Sequence, residues 1–177
     1  GNTAVFFPSY EILNKIHKII ENNYEIEKNI LAEKQDMKKE QRNEIYNLLI
    51  NSKENRSVLF GVQAGSMSEG VDYPENVLSG VIIVGLPLSI PDMETQSLIE
   101  YYDFKFNRGM DYGYIYPAMT KALQSAGRGI RSETDRGVII FMDERFKWKN
   151  YAKYFPGDFE PVVTDKPGVW IGKFFGL

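Results

Sequence analysis

Two stretches of this chain are apolar almost without a break: "GVIIVGLPL", residues 80–88, and "GVIIFM", residues 137–142. A surface helix, or a strand with one wet face, would interleave polar residues. Short unbroken runs rich in Val and Ile fit strands buried on both faces, as in a parallel sheet. Neither run approaches the roughly 20 apolar residues that span a bilayer. A sheet of this kind needs helices on both faces, and 177 residues are enough for one such domain.

The rest of the chain alternates between the two periodicities. "AVFFPSY" reads as a strand stopped by Pro8, with Ser9 placed to cap the next helix. Ile12, Leu13, Ile16, Ile19 and Ile20 follow at helical spacing, and His17 lies off that stripe as a solvated residue. "NILAEK" is a short strand candidate. "KKEQRNEIYNLLINS" is a charged helix with Ile45, Leu48 and Leu49 inward, and "SVLFGVQAG" is a strand that enters a glycine-bearing loop. "PDMETQSLIEYYDFKF" reads as a helix with Leu98, Tyr101 and Tyr102 on its buried side; "RGMDYG" breaks it. "YPAMTKALQSAGRGIR" is another helix, running up to or through its glycines, and "GVIIFMDERF" is a last buried strand. The aromatic tail fits a short helix or strand packed on the body. The expected fold class is α/β, a parallel sheet sandwiched between helices, with residues 1–177 as one domain. In such sheets ligands lie beyond the carboxyl ends of the strands, here at "PSY", "QAGSMSEGVDYP" and "DERF".

Composition removes several classes of chemistry. With no cysteine the chain offers no disulfide, no Cys-ligated zinc and no iron–sulfur ligand, and one histidine makes no metal site. The N-terminal residues lack the basic segment of a signal peptide, so an intracellular location is expected. The net charge of −3 supplies no global basic field. Between Lys121 and Lys153, however, eight Lys and Arg stand against four Asp and Glu. That excess suits either phosphate contacts or an ordinary charged surface.

Familiar phosphate loops are missing. In the Gly172-Lys173 pair, Gly168 stands one residue too close and Phe174 occupies the hydroxyl position, so the Walker A pattern fails. "GRGIRS" ends in Ser132 where a dinucleotide loop needs glycine, and it follows a helix. Asp143-Glu144 ends an apolar run as a Walker B pair would, but without a phosphate loop an ion pair with Arg145 accounts for it better. Against this background "QSAGRGIR", residues 124–131, stands out. Arg128 and Arg131 could meet one phosphate with bidentate, permanently charged guanidiniums, or could pair with Glu133 and Asp135 on the surface. An arginine supplied to a nucleotide held by another domain is the arginine-finger arrangement.

Taken together, "VFFPSY", "GSMSEGVDYP" and "QSAGRGIRSETDRG" resemble, in order and separation, motifs IV, V and VI of superfamily 2 helicases. The nearest resemblance is to the XPD family of iron–sulfur DNA helicases, especially its archaeal members. It covers nearly the whole chain; after Phe146 the match is less clear.

The resemblance implies a RecA-like fold and the second, C-terminal motor domain of a longer helicase. The first RecA-like domain would then hold the Walker loops, ATP and Mg²⁺, and the parent protein a 4Fe-4S cluster that this chain does not ligate. Arg131 would be the finger on the γ-phosphate. Arg128 would contact phosphate or order the finger, and Gln124 would lie near the γ-phosphate. Gly70 and Asp72 would line the nucleotide side, and Glu69 would couple the two sites. Ser9, Tyr10, Ser66 and Ser68 would touch single-stranded DNA. The resemblance further implies 5′→3′ translocation, nucleotide excision repair, a monomer without membrane contact, and a cytoplasmic or nucleoid location if archaeal. A DinG-type helicase domain and a non-catalytic DNA- or protein-binding module on the same fold are the alternatives.

Overall fold

The computed structural model describes residues 1–51, 56–74, 76–88, 90–130 and 134–177. Among them, five strands form a single parallel sheet in the order β2-β3-β1-β4-β5. They are β1 (Asn2–Phe7), β2 (Ile30–Ala32), β3 (Val58–Val62), β4 (Leu78–Val84) and β5 (Val138–Met142). The α/β sandwich expected from the alternating runs is the fold observed. β1 is central: Val5 stands opposite Phe60 of β3 and Ile82 of β4, and Ile82 stands opposite Ile140 of β5.

Alternate residues along each strand then point to opposite faces. On one face Ala4, Phe6, Leu59, Val81 and Ile83 pack with Leu49 of α2 (Lys39–Asn51), Met67 of α3 (Ser66–Glu69), and Met119, Ala122 and Ala126 of α5 (Tyr116–Ala126). On the other, Phe7, Phe60 and Val62 pack with Leu13 of α1 (Tyr10–Asn23). Strands β2 and β3 lie to one side of β1, and β4 and β5 to the other. The chain therefore changes direction of winding between β1 and β4, where open α/β sheets leave a crevice.

The expected inward residues depart from the structure in several places. Helix α4 (Met93–Phe106), capped by Asp92, contains no buried residue, and its Leu98 and Tyr101 are exposed. It packs on a π-helical turn, Asp111–Ile115, instead of on the sheet. That contact needs Gly113, where a Cβ would lie 2.8 Å from the Ile99 backbone nitrogen. β5 is half-exposed rather than buried because it ends the sheet. Leu48 is exposed on α2, whereas His17 is half-buried, with its ring edge against Phe60 at 5.6 Å. Following α6 (Lys149–Ala152), the tail forms α7 (Pro167–Phe175), held to the body by Arg136, which donates to the Phe174 carbonyl at 2.9 Å. No helix among the described residues is long and apolar enough to cross a membrane.

Candidate functional site at the carboxyl edge of the sheet

The loops after β1, β3 and β5 gather at one edge. A cleft of about 520 Å³ opens there between Pro8, Ser9 and Ile12 on one side and Gly85, Leu88 and Asp143 on the other. Gly85 adopts a left-handed φ of 66°, which turns the chain away from β4 at the cleft floor. Ser9 caps α1, its Oγ accepting from the Ile12 amide at 3.3 Å. Asp143 grips Arg145 in a two-point ion pair, with the shorter contact 2.6 Å. The bonding Arg145 guanidinium holds the Asp143 carboxyl below the usual carboxylate range. The structure thus gives the acidic residue at the end of β5 an ion-pair partner.

The loop after β3 is organised by a residue that the sequence reading passed over. Glu33, at the end of β2, is fully buried. Its Oε1 accepts from the Ser66 amide (2.7 Å), the Ser66 hydroxyl (2.9 Å), the Met67 amide (3.3 Å) and the Tyr10 hydroxyl (3.0 Å). Its Oε2 accepts from the Val62 amide at 2.9 Å. Every partner is a donor, which suits a group that only accepts. Burial, then the Glu33 carboxylate, push the Tyr10 phenol up to about 12. Gly65 is obligatory beside it: a Cβ would lie 2.8 Å from both Glu33 oxygens. In the sequence Glu33 is one charged residue before a lysine, with nothing to mark it as buried.

Gln63 was missed for the same reason. It is buried, and its Nε2 donates to the carbonyls of Val84 and Gly85 at 3.1 Å each. It therefore ties the end of β3 to the end of β4 across β1.

The residues expected to contact DNA separate into two groups. Ser9 lines the cleft and Ser66 stands half-buried at the start of α3. Ser68 must be removed from that set. It is fully buried, and its Oγ lies 2.7 Å from Ser125 Oγ of α5, so it joins two helices and reaches no ligand. Tyr10 is half-buried and has its hydroxyl committed to Glu33.

The residues expected on the nucleotide side lie at the end of α5 and on the loop that Arg128 holds. Arg128 donates from Nη1 to the Val71 carbonyl at 3.1 Å and from Nη2 to the Glu69 carbonyl at 3.5 Å. Both contacts hold the loop of residues 69–71 to the end of α5. Around it, Glu69, Gly70, Asp72 and Gln124 are exposed. The Asp72 carbonyl accepts from Tyr46 Oη at 3.0 Å, which fixes the far end of the loop. Arg131 lies outside the described residues. This edge offers exposed carboxylates, an amide side chain and a guanidinium, a set that can border a polyphosphate or a ribose. No cluster of three metal-ligating side chains occurs among the described residues, and a chain without cysteine does not fit an iron–sulfur cluster.

Comparison with known proteins agrees with this arrangement. Residues 1–162 match the model of the helicase C-terminal domain. A Fanconi anemia group J protein homolog from Gallus gallus is 30% identical over 167 residues, covering 86% of this chain and 13% of that protein. The ATP-dependent DNA helicase XPD of Sulfolobus acidocaldarius is 30% identical over 160 residues, covering 86% of this chain and 27% of that protein. A solved structure of apo XPD superposes with a TM-score of 0.66 at 27% identity, over 86% of this chain and 30% of that one. The chain thus spans about a quarter or less of these curated relatives. On the match of residues 1–162, and on the RecA-like sheet with its three loops at one edge, the chain belongs to the family of helicase C-terminal domains, within the XPD-like helicases of superfamily 2.

Proposed function

We propose that this chain is the second motor domain of an ATP-dependent helicase that moves 5′→3′ along single-stranded DNA and serves nucleotide excision repair. The reading is carried by Arg128, which fastens residues 69–71 to the end of α5. Glu69 and Asp72 belong to the loop held in this way, Gln124 stands four residues before Arg128, and Arg131 follows three residues after it in the sequence.

In this reading the first RecA-like domain binds ATP and Mg²⁺, and this chain closes the cleft from the other side. Arg131 meets the charge that develops on the transferred phosphoryl group, Arg128 keeps the loop in register, and Gln124 lies beside the γ-phosphate. Asp72 and Gly70 border the nucleotide, and Glu69 links the two sides. Ser9, Ser66 and the Tyr10 ring face single-stranded DNA along the carboxyl edge. Hydrolysis itself takes place on the partner domain's phosphate loop, so the isolated chain is expected to have no ATPase activity.

The deciding experiment is Arg131→Ala in the full-length enzyme. DNA-stimulated hydrolysis should fall by about 10³-fold with the thermal unfolding midpoint unchanged. Full turnover in that variant would overturn the finger assignment.

A further inference from the structure

Three of the loops that meet at the carboxyl edge are joined by side-chain hydrogen bonds that short stretches of the α3 and α5 backbone connect to one another. The series begins at Tyr10, the first residue of α1, whose hydroxyl donates to Glu33. Glu33 accepts the amides of Ser66 and Met67 at the start of α3. From α3, Ser68 reaches Ser125 of α5, and the next loop is held through Glu69 and Val71 by Arg128. Every link is at 3.5 Å or less. Glu33 is the only point where the loop after β1 and the loop after β3 bond to the same side chain among the described residues.

We propose that Glu33 is a positioning residue that couples DNA contact at the β1 edge to the nucleotide-side loop held by Arg128. The inference rests on the motor reading above. A fully buried carboxylate is costly unless its partners are complete, so the five donors and Glu33 hold or fail together. A shift of Tyr10 on the DNA side therefore removes a partner from Glu33. Glu33 in turn bonds the segment that leads directly to residues 69–71. The connection is short and made of hydrogen bonds, so loss of one partner exposes the rest to rearrangement. That is the kind of element whose equilibrium two sites can bias. Glu33 touches neither DNA nor nucleotide in this scheme; it acts through Ser66, Met67 and Tyr10.

The test uses the full-length helicase and compares ATP turnover with and without saturating single-stranded DNA. Glu33→Gln replaces one acceptor oxygen by a donor and should lower the ratio of stimulated to unstimulated turnover by about 10-fold. Glu33→Asp, which keeps the charge, should restore part of it. A merely structural role is separated by Asn2→Ala. Asn2 is a buried bridge at the opposite edge of the sheet, donating to the Leu49 carbonyl and accepting from the Ser57 amide. That variant should lower the unfolding midpoint and leave the ratio unchanged.

Tyr10→Phe removes a single donor without disturbing the core. It should lower the ratio, and combined with Glu33→Gln it should add little further loss. It carries the test alone if Glu33→Gln does not fold. The proposal is overturned if Glu33→Gln or Tyr10→Phe keeps the wild-type ratio, or if Asn2→Ala lowers the ratio as much for an equal loss of stability. A wild-type enzyme whose turnover ignores DNA would instead overturn the motor reading, which separates the two failures.

Discussion

Arg128 and Val71 are fifty-seven residues apart in sequence and bonded at 3.1 Å, guanidinium to backbone carbonyl. Through this bond the end of α5 carries the loop that follows α3, so the two helicase motifs act as one piece. The second contact, to Glu69, uses the other terminal nitrogen of the same planar group. An ammonium cannot span two carbonyls in this way. Arg128→Lys is therefore expected to lower DNA-stimulated ATP turnover of the full-length enzyme by about 10-fold, with a stability loss of about 1 kcal/mol. Steady-state ATPase assays and urea unfolding of the same preparation check both numbers.

The buried pair Ser68 and Ser125 should respond unequally to truncation. Ser125 Oγ already donates to the Lys121 carbonyl at 2.9 Å, so Ser68 supplies the proton of the shared bond. Ser125→Ala leaves the Ser68 hydroxyl without an acceptor and should cost about 1–3 kcal/mol. Ser68→Ala leaves Ser125 bonded to Lys121 and should cost less. Denaturant unfolding ranks them. The affinity of Ser68→Ala for single-stranded DNA should equal wild type, because the side chain is buried.

Gly65→Ala should destabilise the domain by about 1–3 kcal/mol. The added methyl would meet both Glu33 oxygens and the Val62 carbonyl oxygen at 2.8 Å, and none of these can move without breaking the carboxylate's bonds. Thermal unfolding measures the loss. It should be smaller in a Glu33→Ala background, where the clash with the carboxylate oxygens is relieved and only that with the Val62 carbonyl remains.

Asp143 gives a pH dependence of definite sign. Its folded pKa is lowered below the ordinary 3.8 by Arg145. Its contribution to stability is therefore complete above pH 3.8 and is lost as the pH falls from there through the lowered folded value. Asp143→Asn should be less stable than wild type at neutral pH, and the gap should close over that acidic window. Midpoints of thermal unfolding from pH 7 downward test it; a constant gap would contradict the assignment.

Binding of single-stranded DNA by the isolated chain should be weak and should fall steeply with salt. The net charge is −3, and between Lys121 and Lys153 eight Lys and Arg stand against only four Asp and Glu. A titration of fluorescently labelled DNA at several salt concentrations reads the slope; tight binding at high salt would refute this.

Much of the architecture is legible in the local pattern. The apolar runs at 80–88 and 137–142 point to a parallel sheet because they interleave no polar residues, although β5, at the end of the sheet, is only half covered. Ser9 announces the start of α1 through capping chemistry that depends on a few neighbouring residues, whereas the pattern leaves α5 running up to or through its glycines and the structure ends it at Ala126. The three helicase-like motifs are continuous in sequence, so their order and spacing survive without coordinates.

What the chain alone could not disclose is which polar groups turn inward. Leu98 and Tyr101 sit at helical spacing that suits a buried stripe, yet α4 lies away from the sheet against a π-helical turn. Ser66 and Ser68 differ by two residues and look alike in sequence. One stands at the edge, while the other is sealed between α3 and α5. Glu33 reads as an ordinary surface charge, and only the convergence of β1, β2 and β3 gives its carboxylate five donors and removes it from water. Periodicity and capping act over a few residues and are written locally. The burial of a charge depends on partners 23 to 34 positions away, brought together only when the sheet forms.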